Sequence, residues 1–383
     1  MTTTINNEHK KLNVPNLRFK EFQGEWEKTK FGDIAVVVGG GTPDTNTSQY
    51  WNGKIQWFTP SEIGRNKYVY NSVRTISEEG LNKSSAKLLP IGTILLSSRA
   101  TVGECSINKK ECTTNQGFQS LIPKENISNE FVYYLIQTKR KDLIRKSCGS
   151  TFLEISANEV RKIVVSIPTI KEQDKIAKLL SLLDERISTQ SKIIEDLKKL
   201  KSAISHILFS SKGAIHLSEI ANVVMGQSPS SNAYNDQGLG MPLVQGNLDI
   251  SNGKTTPRLY TAEFNQTTEK GNIILTVRAP VGEVAKATQK VCLGRGVCAI
   301  IPHEENMSDF IYQYLTFYKF MWRRYEQGST FTSINGSDVR NIFCPKVRNV
   351  SILTLLDIKI NIEERVVKQY QSQKQYMLYQ MFI

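Results

Sequence analysis

The sequence predicts an α+β fold: two mixed α/β domains in tandem, each followed by a long helix, with the two helices pairing as an antiparallel coiled coil. Three observations predict it. Part of the chain returns at a domain-sized offset, each copy runs into a heptad-patterned segment, and 383 residues suffice for two domains that each bury a core.

The repeat is direct. Gly92-Thr-Ile-Leu-Leu-Ser-Ser-Arg-Ala-Thr-Val-Gly-Glu104 returns 179 residues later as Gly271-Asn-Ile-Ile-Leu-Thr-Val-Arg-Ala-Pro-Val-Gly-Glu283, with eight of 13 positions identical. Gly149-Ser-Thr-Phe152, Ile155 and Val160-Arg161 return at the same offset as Gly328-Ser-Thr-Phe331, Ile334 and Val339-Arg340. Ile34-Ala35, Gly40 and Thr42-Pro43 answer to Ile220-Ala221, Gly226 and Ser228-Pro229. A unit this long is a domain, not a solenoid repeat.

Residues 1–13 read as a disordered tail, and Met1–Lys11 lacks the apolar core of a signal peptide. The first domain, 14–168, carries expected strands at Asp33–Val38 and Gly92–Ser97, where Ile94-Leu95-Leu96 has the look of a buried strand. Gly39–Pro43 and Trp51–Gly53 are turn-rich. Phe131, Tyr134, Leu135 and Thr138 fall at helical spacing within Asn129–Lys141. Ser156-Ala-Asn-Glu159 has the capping-box pattern of a short helix, and Ile163–Ile167 is a strand ended by Pro168.

From Lys171 to Phe209 there is no Gly or Pro, so 169–210 reads as one spacer helix. Ile176, Leu180, Leu183, Ile187, Gln190, Ile194, Leu197, Lys201, Ile204 and Leu208 alternate at spacings of four and three, a heptad seam roughly 50 Å long. Ser210–Gly213 breaks it. The second domain, 215–347, repeats the order with Glu219–Val224, Asn272–Val277, Asp309–Lys319 and a short helix after Asn335. The second spacer helix, 350–383, repeats the seam at an offset of 173 through Leu353, Leu356, Ile360, Val367, Tyr370, Met377 and Met381, and keeps Leu183-Asp184 as Leu356-Asp357. About four residues are missing before it, between Pro345 and Leu353. Antiparallel pairing would relate the two domains by an approximate two-fold axis; the alternative is that each helix packs on its own domain.

Net charge is +13 and the pI about 9.3, an excess that suits a polyanion such as nucleic acid. Two basic readers on a rigid spacer match the dyad symmetry of duplex DNA. No apolar run approaches a membrane span. The six cysteines form no Cys-x-x-Cys pair and read as reduced, buried residues of a cytosolic protein, with no metal site.

At this point the chain resembles the specificity subunit of a type I restriction–modification system. The carrying motifs are Gly-Gly-Thr-Pro43, Tyr50-Trp51, Ile55-Gln-Trp57-Phe-Thr-Pro60-Ser61, the repeated Gly-x-Ile…Arg-Ala-x-Val-Gly run, Gly149-Ser-Thr-Phe152, and Ile167-Pro168 followed by Glu172-Gln173, Ile176 and Leu183-Asp184. The resemblance covers the chain from about Asn13 to Ile383, and the motifs stand in the family's order, duplicated. The resemblance implies two target-recognition domains, each reading one part of a split, asymmetric double-stranded DNA target. It also implies helices that dock two modification (methyltransferase) subunits, which methylate adenine with S-adenosylmethionine; restriction subunits add later. No cofactor is expected on this chain and no membrane partner. The departures are the shortened junction after Pro345, which bears on how the C-terminal helix docks, and the ending at Met381-Phe-Ile383 with no further family segment.

Residues kept in both copies are poor candidates for reading two different half-sites. Arg99 and Arg278 are kept, and are either phosphate contacts or structural arginines paired with Glu104 and Glu283. Ser150, Thr151, Ser329 and Thr330 either donate to phosphates or cap a turn. Loop residues that differ are better base readers: Thr42, Gln49, Ser61, Arg65, Asn66 and Lys67 in the first copy, and Gln227, Ser228, Asn232, Gln245, Asn247, Lys254 and Arg258 in the second. Trp51 and Trp57 are expected to fill the core.

Enzyme classes find no support. The chain has no Pro-Pro pair for an adenine-methylating run. Gly253-Lys254-Thr255 resembles the end of a phosphate loop, but Leu248 stands where its first glycine belongs. Asp44 and Glu62 do not form a nuclease cluster, and His9, His206, His216 and His303 lie where none would serve a Ser or Cys nucleophile. The competing non-catalytic reading is a coiled-coil scaffold whose domains bind protein.

Overall fold

The computed structural model describes residues 12–149, 153–210, 215–324, 333–346 and 349–383. The chain divides into two compact units, and the divisions fall inside the long helices, after Thr189 and after Val366. Each unit takes half of both helices.

In the first unit, a five-stranded sheet runs in the order Ala35–Gly39, Gln119–Pro123, Ile94–Leu96, Cys105–Asn108, Tyr68–Val69. A three-stranded sheet holds Arg74–Ile76, Trp51–Phe58 and Cys112–Thr114. Ile94, Leu95 and Leu96 are all fully buried, as an apolar run in a central strand requires. The strand expected over Asp33–Val38 starts later. Phe31–Ile34 is a helical turn, because Phe31 and Ile34 reach the core together at i, i+3 and Asp33 accepts from the Lys30 N–H at 3.2 Å. Ser156 caps Ala157–Arg161 by accepting from the Glu159 N–H at 3.3 Å, but Glu159 does not complete the box; it turns to Lys162 at 2.9 Å.

Asn13, placed in the expected tail over 1–13, is bonded into the first unit. The Asn13 amide donates to Trp26 O at 2.6 Å and accepts from Ser166 Oγ at 3.2 Å. Arg18 then forks onto Glu172 through two 2.8 Å bonds, and Trp26 Nε1 donates to the same carboxylate at 3.3 Å. Glu172 is thus a buried charge with its lone pairs met, and it raises the pKa of Arg18 through that hydrogen bond.

The second unit rebuilds this frame. Its main sheet runs Ala221–Met225, Val297–Pro302, Ile273–Thr276, Val284–Lys286, Lys254–Thr255, Ile250–Ser251, and a second sheet runs Tyr234–Asn235, Leu259–Thr261, Met241–Val244, Val291–Leu293, Thr267–Thr268. Ser308–Tyr318 answers to Asn129–Thr138. Gly336–Arg340 starts from a complete box between Asn335 and Asp338.

The seam is read out in both units. Ile176, Leu180 and Leu183 of the central helix Ile170–Phe209 join the first unit's core together with Trp26, Phe131, Tyr134 and Met381, with Met377 packed against it. In the second unit, Leu353 of the C-terminal helix Ser351–Met381 joins Phe209, Leu217 and Phe310, while Leu356 and Ile360 are buried. Ile187, Ile194, Leu197, Val367 and Tyr370 are half-buried. Each helix both packs on its domain and pairs with the other: Asp184 meets Lys374 at 2.6 Å in the first unit, Lys201 meets Asp357 at 2.5 Å in the second, and the numbering runs in opposite directions.

The shortened junction does not change the helix register. Tyr134 donates to Asp184 at 2.6 Å, and Gln313, its repeat equivalent, donates to Asp357 at 2.7 Å. Burial and the Asp184 charge together raise the Tyr134 pKa, so its hydroxyl stays a donor. Five cysteines are buried as expected, but Cys148 is exposed.

Candidate nucleic-acid interface

Five chain segments meet at one rim of the first unit, and main-chain hydrogen bonds hold them. Gly41 N–H donates to Thr114 O at 2.8 Å and Asn115 N–H to Phe58 O at 3.1 Å. Ser98 N–H donates to Gly117 O at 2.8 Å and Ile155 N–H to Ser98 O at 3.0 Å. The second unit repeats each bond: Gln227 to Leu293 O at 2.9 Å, Gly294 to Val244 O at 2.8 Å, Val277 to Gly296 O at 2.9 Å, Ile334 to Val277 O at 3.0 Å. Gly40 and Gly226 are glycine because the turn lies against them. A Cβ there would sit 2.0 Å from Asn115 O or 2.1 Å from Gly294 O.

In the second unit this rim lines a cavity of about 350 Å³. It gathers Ser228, Gln245, Asn247, Arg258 and Arg278 from the expected set, and adds Arg295. Asp249, nearly buried, accepts from the Gln245 N–H at 2.8 Å and from Arg258 Nε at 3.0 Å, so Arg258 is held at the wall. Among the described residues no carboxylate pairs with Arg278 or Arg295. Gln227, Asn232 and Lys254 are exposed outside the lining.

In the first unit Thr42 donates its hydroxyl to Gln116 Oε1, and Ser61 lies 3.0 Å from Thr59 Oγ1 in the turn after Phe58. Gln49 is exposed on the short helical turn Ser48–Tyr50. Gly64 to Lys67 are pinned by Ser106, whose hydroxyl accepts from the Gly64 N–H at 3.0 Å and donates to Asn66 O at 2.7 Å. Arg65 and the Asn66 side chain are left exposed.

Lys67 is a correction. Its side chain is 9% exposed, ion-paired with Glu130, bonded to Tyr134 OH at 3.2 Å and to Ser181, and 4.7 Å from the Tyr134 ring centre. It ties the sheet to the central helix. Of the two alternatives for the kept arginines, the pairing of Arg99 with Glu104 and of Arg278 with Glu283 is not formed. Glu104 pairs with Arg140 at 2.8 Å and Glu283 with Lys319 at 2.5 Å, while Arg99 pairs with Glu154 at 2.8 Å. Ser150, Thr151, Ser329 and Thr330 lie outside the described residues.

Trp51 and Trp57 are buried edge to face, 5.0 Å apart, as core fillers. Asp44 caps its own turn; the Asn46 N–H and the Thr47 hydroxyl lower its pKa. Glu62 accepts from Thr59 N–H and Val73 N–H, both at 2.7 Å. Both acids are spent on turns. Among the described residues there is no group of His, Cys, Asp and Glu able to hold a metal, and no helix long and apolar enough to cross a membrane.

Sequence reading missed Gln116 and Arg295. The signal was present: they occupy the same place in the repeat, 179 residues apart, and differ.

A doubled α/β frame with a polar rim on each copy defines the class. The family described as type I restriction modification DNA specificity domain matches residues 23–199 and 213–369. The chain belongs to this family of specificity subunits. It is 40% identical over 180 residues to the MjaIX type I restriction enzyme specificity subunit of Methanocaldococcus jannaschii, covering 46% of this chain and 42% of that one, so it spans less than half of that relative. To the putative MjaX specificity subunit of the same organism it is 29% identical over 373 residues, 88% of this chain and 86% of that one. The crystal structure of the type I system S subunit from M. genitalium shares the fold, with a TM-score of 0.63 at 20% identity, covering 97% of this chain and 99% of that one.

Proposed function

We propose that this chain is the non-catalytic DNA-reading subunit of a type I restriction–modification complex. Each unit reads one half of a bipartite, asymmetric target in double-stranded DNA. The long helices dock two adenine-methylating modification subunits, which carry S-adenosylmethionine, and restriction subunits join them. One observation carries the reading: the two rims share their main-chain bonds and differ in the side chains they present. That is what two readers of different sequences need. The net charge of +13 supports it.

The helices support docking. Leu182, Ile193, Leu200 and Ile207 of the central helix, and Leu355, Ile358 and Ile362 of the C-terminal helix, are exposed although apolar.

Long-read methylation mapping tests the proposal. Cells expressing the chain with its cognate modification subunit should carry methylated adenine at one split, asymmetric motif, absent when the modification subunit is expressed alone. A complex that assembles but adds no motif overturns it. Binding to duplex DNA should also weaken steeply with salt, whereas a scaffold joined through apolar contacts would not.

A further inference from the structure

The rim turns Asn115-Gln116-Gly117 and Gly294-Arg295-Gly296 are one structure carrying two different messages. Both follow a buried strand and precede another, Cys112–Thr114 to Gln119–Pro123 and Val291–Leu293 to Val297–Pro302. Each is clamped on both sides by the bonds described above. In each, the middle side chain is exposed while its C-terminal neighbour is buried. A residue in that position projects from a fixed main chain into the rim, which is what direct base readout needs.

The side chains are glutamine in one unit and arginine in the other. Glutamine offers one acceptor and one donor in a plane, matching adenine N6–H and N7. Arginine offers two parallel donors, matching guanine O6 and N7. The same hydroxyl position supports both. Thr42 donates to Gln116 Oε1, which fixes the amide and leaves that oxygen a second lone pair. Ser228, its counterpart, instead accepts from the Arg295 N–H at 3.0 Å, holding the turn and leaving the guanidinium free for a ligand.

We infer that Gln116 and Arg295 are equivalent specificity-determining residues, Gln116 reading an A·T pair in one half-site and Arg295 a G·C pair in the other. This rests on the DNA-reading function proposed above.

The test maps methylation in cells expressing the modification subunit with wild-type chain, Gln116→Arg or Arg295→Gln. Wild type should yield a split motif whose second half contains a G·C pair. Gln116→Arg should convert one A·T position of one half-site to G·C and leave the other half unchanged; Arg295→Gln should do the reverse in the other half. A wild-type complex that adds no split motif defeats the function itself. A wild-type motif with variants that methylate it unchanged defeats this inference alone. If a variant methylates nothing, the purified complexes with Gln116→Ala or Arg295→Ala are titrated with duplexes altered one base pair at a time. Discrimination should fall roughly 5- to 150-fold at one position only. Uniform weakening across all duplexes would make the residue a phosphate contact and overturn the assignment.

Discussion

Gln190 and Glu363 hydrogen-bond to each other although they occupy the same position of the repeated helix, 173 residues apart. Two antiparallel copies of one helix can bring equivalent residues face to face only at the middle of their pairing. Glu363 is buried and also pairs with Lys359, so its carboxylate is satisfied. Gln190→Glu would set a second carboxylate against it and should cost about 1–2 kcal/mol. Thermal unfolding of the single variant and of its combination with Glu363→Gln checks this: the second change should recover part of the loss. No loss in the single variant would rule the contact out.

Away from that midpoint, equivalent residues exchange partners. Asp184 takes Lys374 and Tyr134; Asp357 takes Lys201 and Gln313. Lys374→Ala and Lys201→Ala should each destabilise by about 1–2 kcal/mol, since both pairs are largely shielded from solvent. Urea unfolding should show the losses adding when the two are combined, because the sites share no partner.

Lys67→Ala should lower stability by about 2 kcal/mol or more, because it leaves Glu130 without its cation and strips a charge from the Tyr134 face. Target choice of the surviving complex should not change. Calorimetry together with a methylation map separates this from a base-reading role, which would alter the motif and spare the melting temperature.

Burial pushes the thiols of Cys105, Cys112, Cys298 and Cys344 up to about 12, from an ordinary value of 9.0. Above pH 9 the unfolded chain loses these protons while the folded chain keeps them. Stability should therefore fall as pH rises from 9 towards 12. At neutral pH a maleimide should label Cys148 alone in the native protein and all six cysteines after denaturation. Native labelling of several would refute the burial pattern.

Leu182 and Leu355 are equivalent, 49% and 60% exposed, and lie off the buried seam. Changing both to Glu should leave the unfolding free energy within about 0.5 kcal/mol of wild type. Capture of the modification subunit by the tagged chain should be lost. Undiminished capture would place docking elsewhere.

Much of this fold was legible because its signals are periodic. The seam positions Ile176, Leu180 and Leu183 announce a helix, and the duplicated Arg-Ala-x-Val-Gly run announces two domains. Pairing partners were not legible. Nothing in the order of residues tells Glu104 to choose Arg140 over Arg99, because the fold brings the helix Arg140–Arg145 against the residue just before the strand Cys105–Asn108. Lys67 was misread for the same reason: a lysine in a polar loop looks solvated until Glu130 and Ser181 arrive around it. At the rim, residue type in loops found Ser228, Gln245, Asn247 and Arg258, and the repeat singled out Arg278, but the turns at Gln116 and Arg295 hide between two strands.

The rim bonds use main-chain groups almost throughout, and Gly40 and Gly226 leave the turn just enough room. Such a frame is indifferent to the side chain at its tip. A lineage carrying it can try new tips one substitution at a time without passing through misfolded ancestors. With two tips varying independently, the repertoire multiplies where a single reader's would only add.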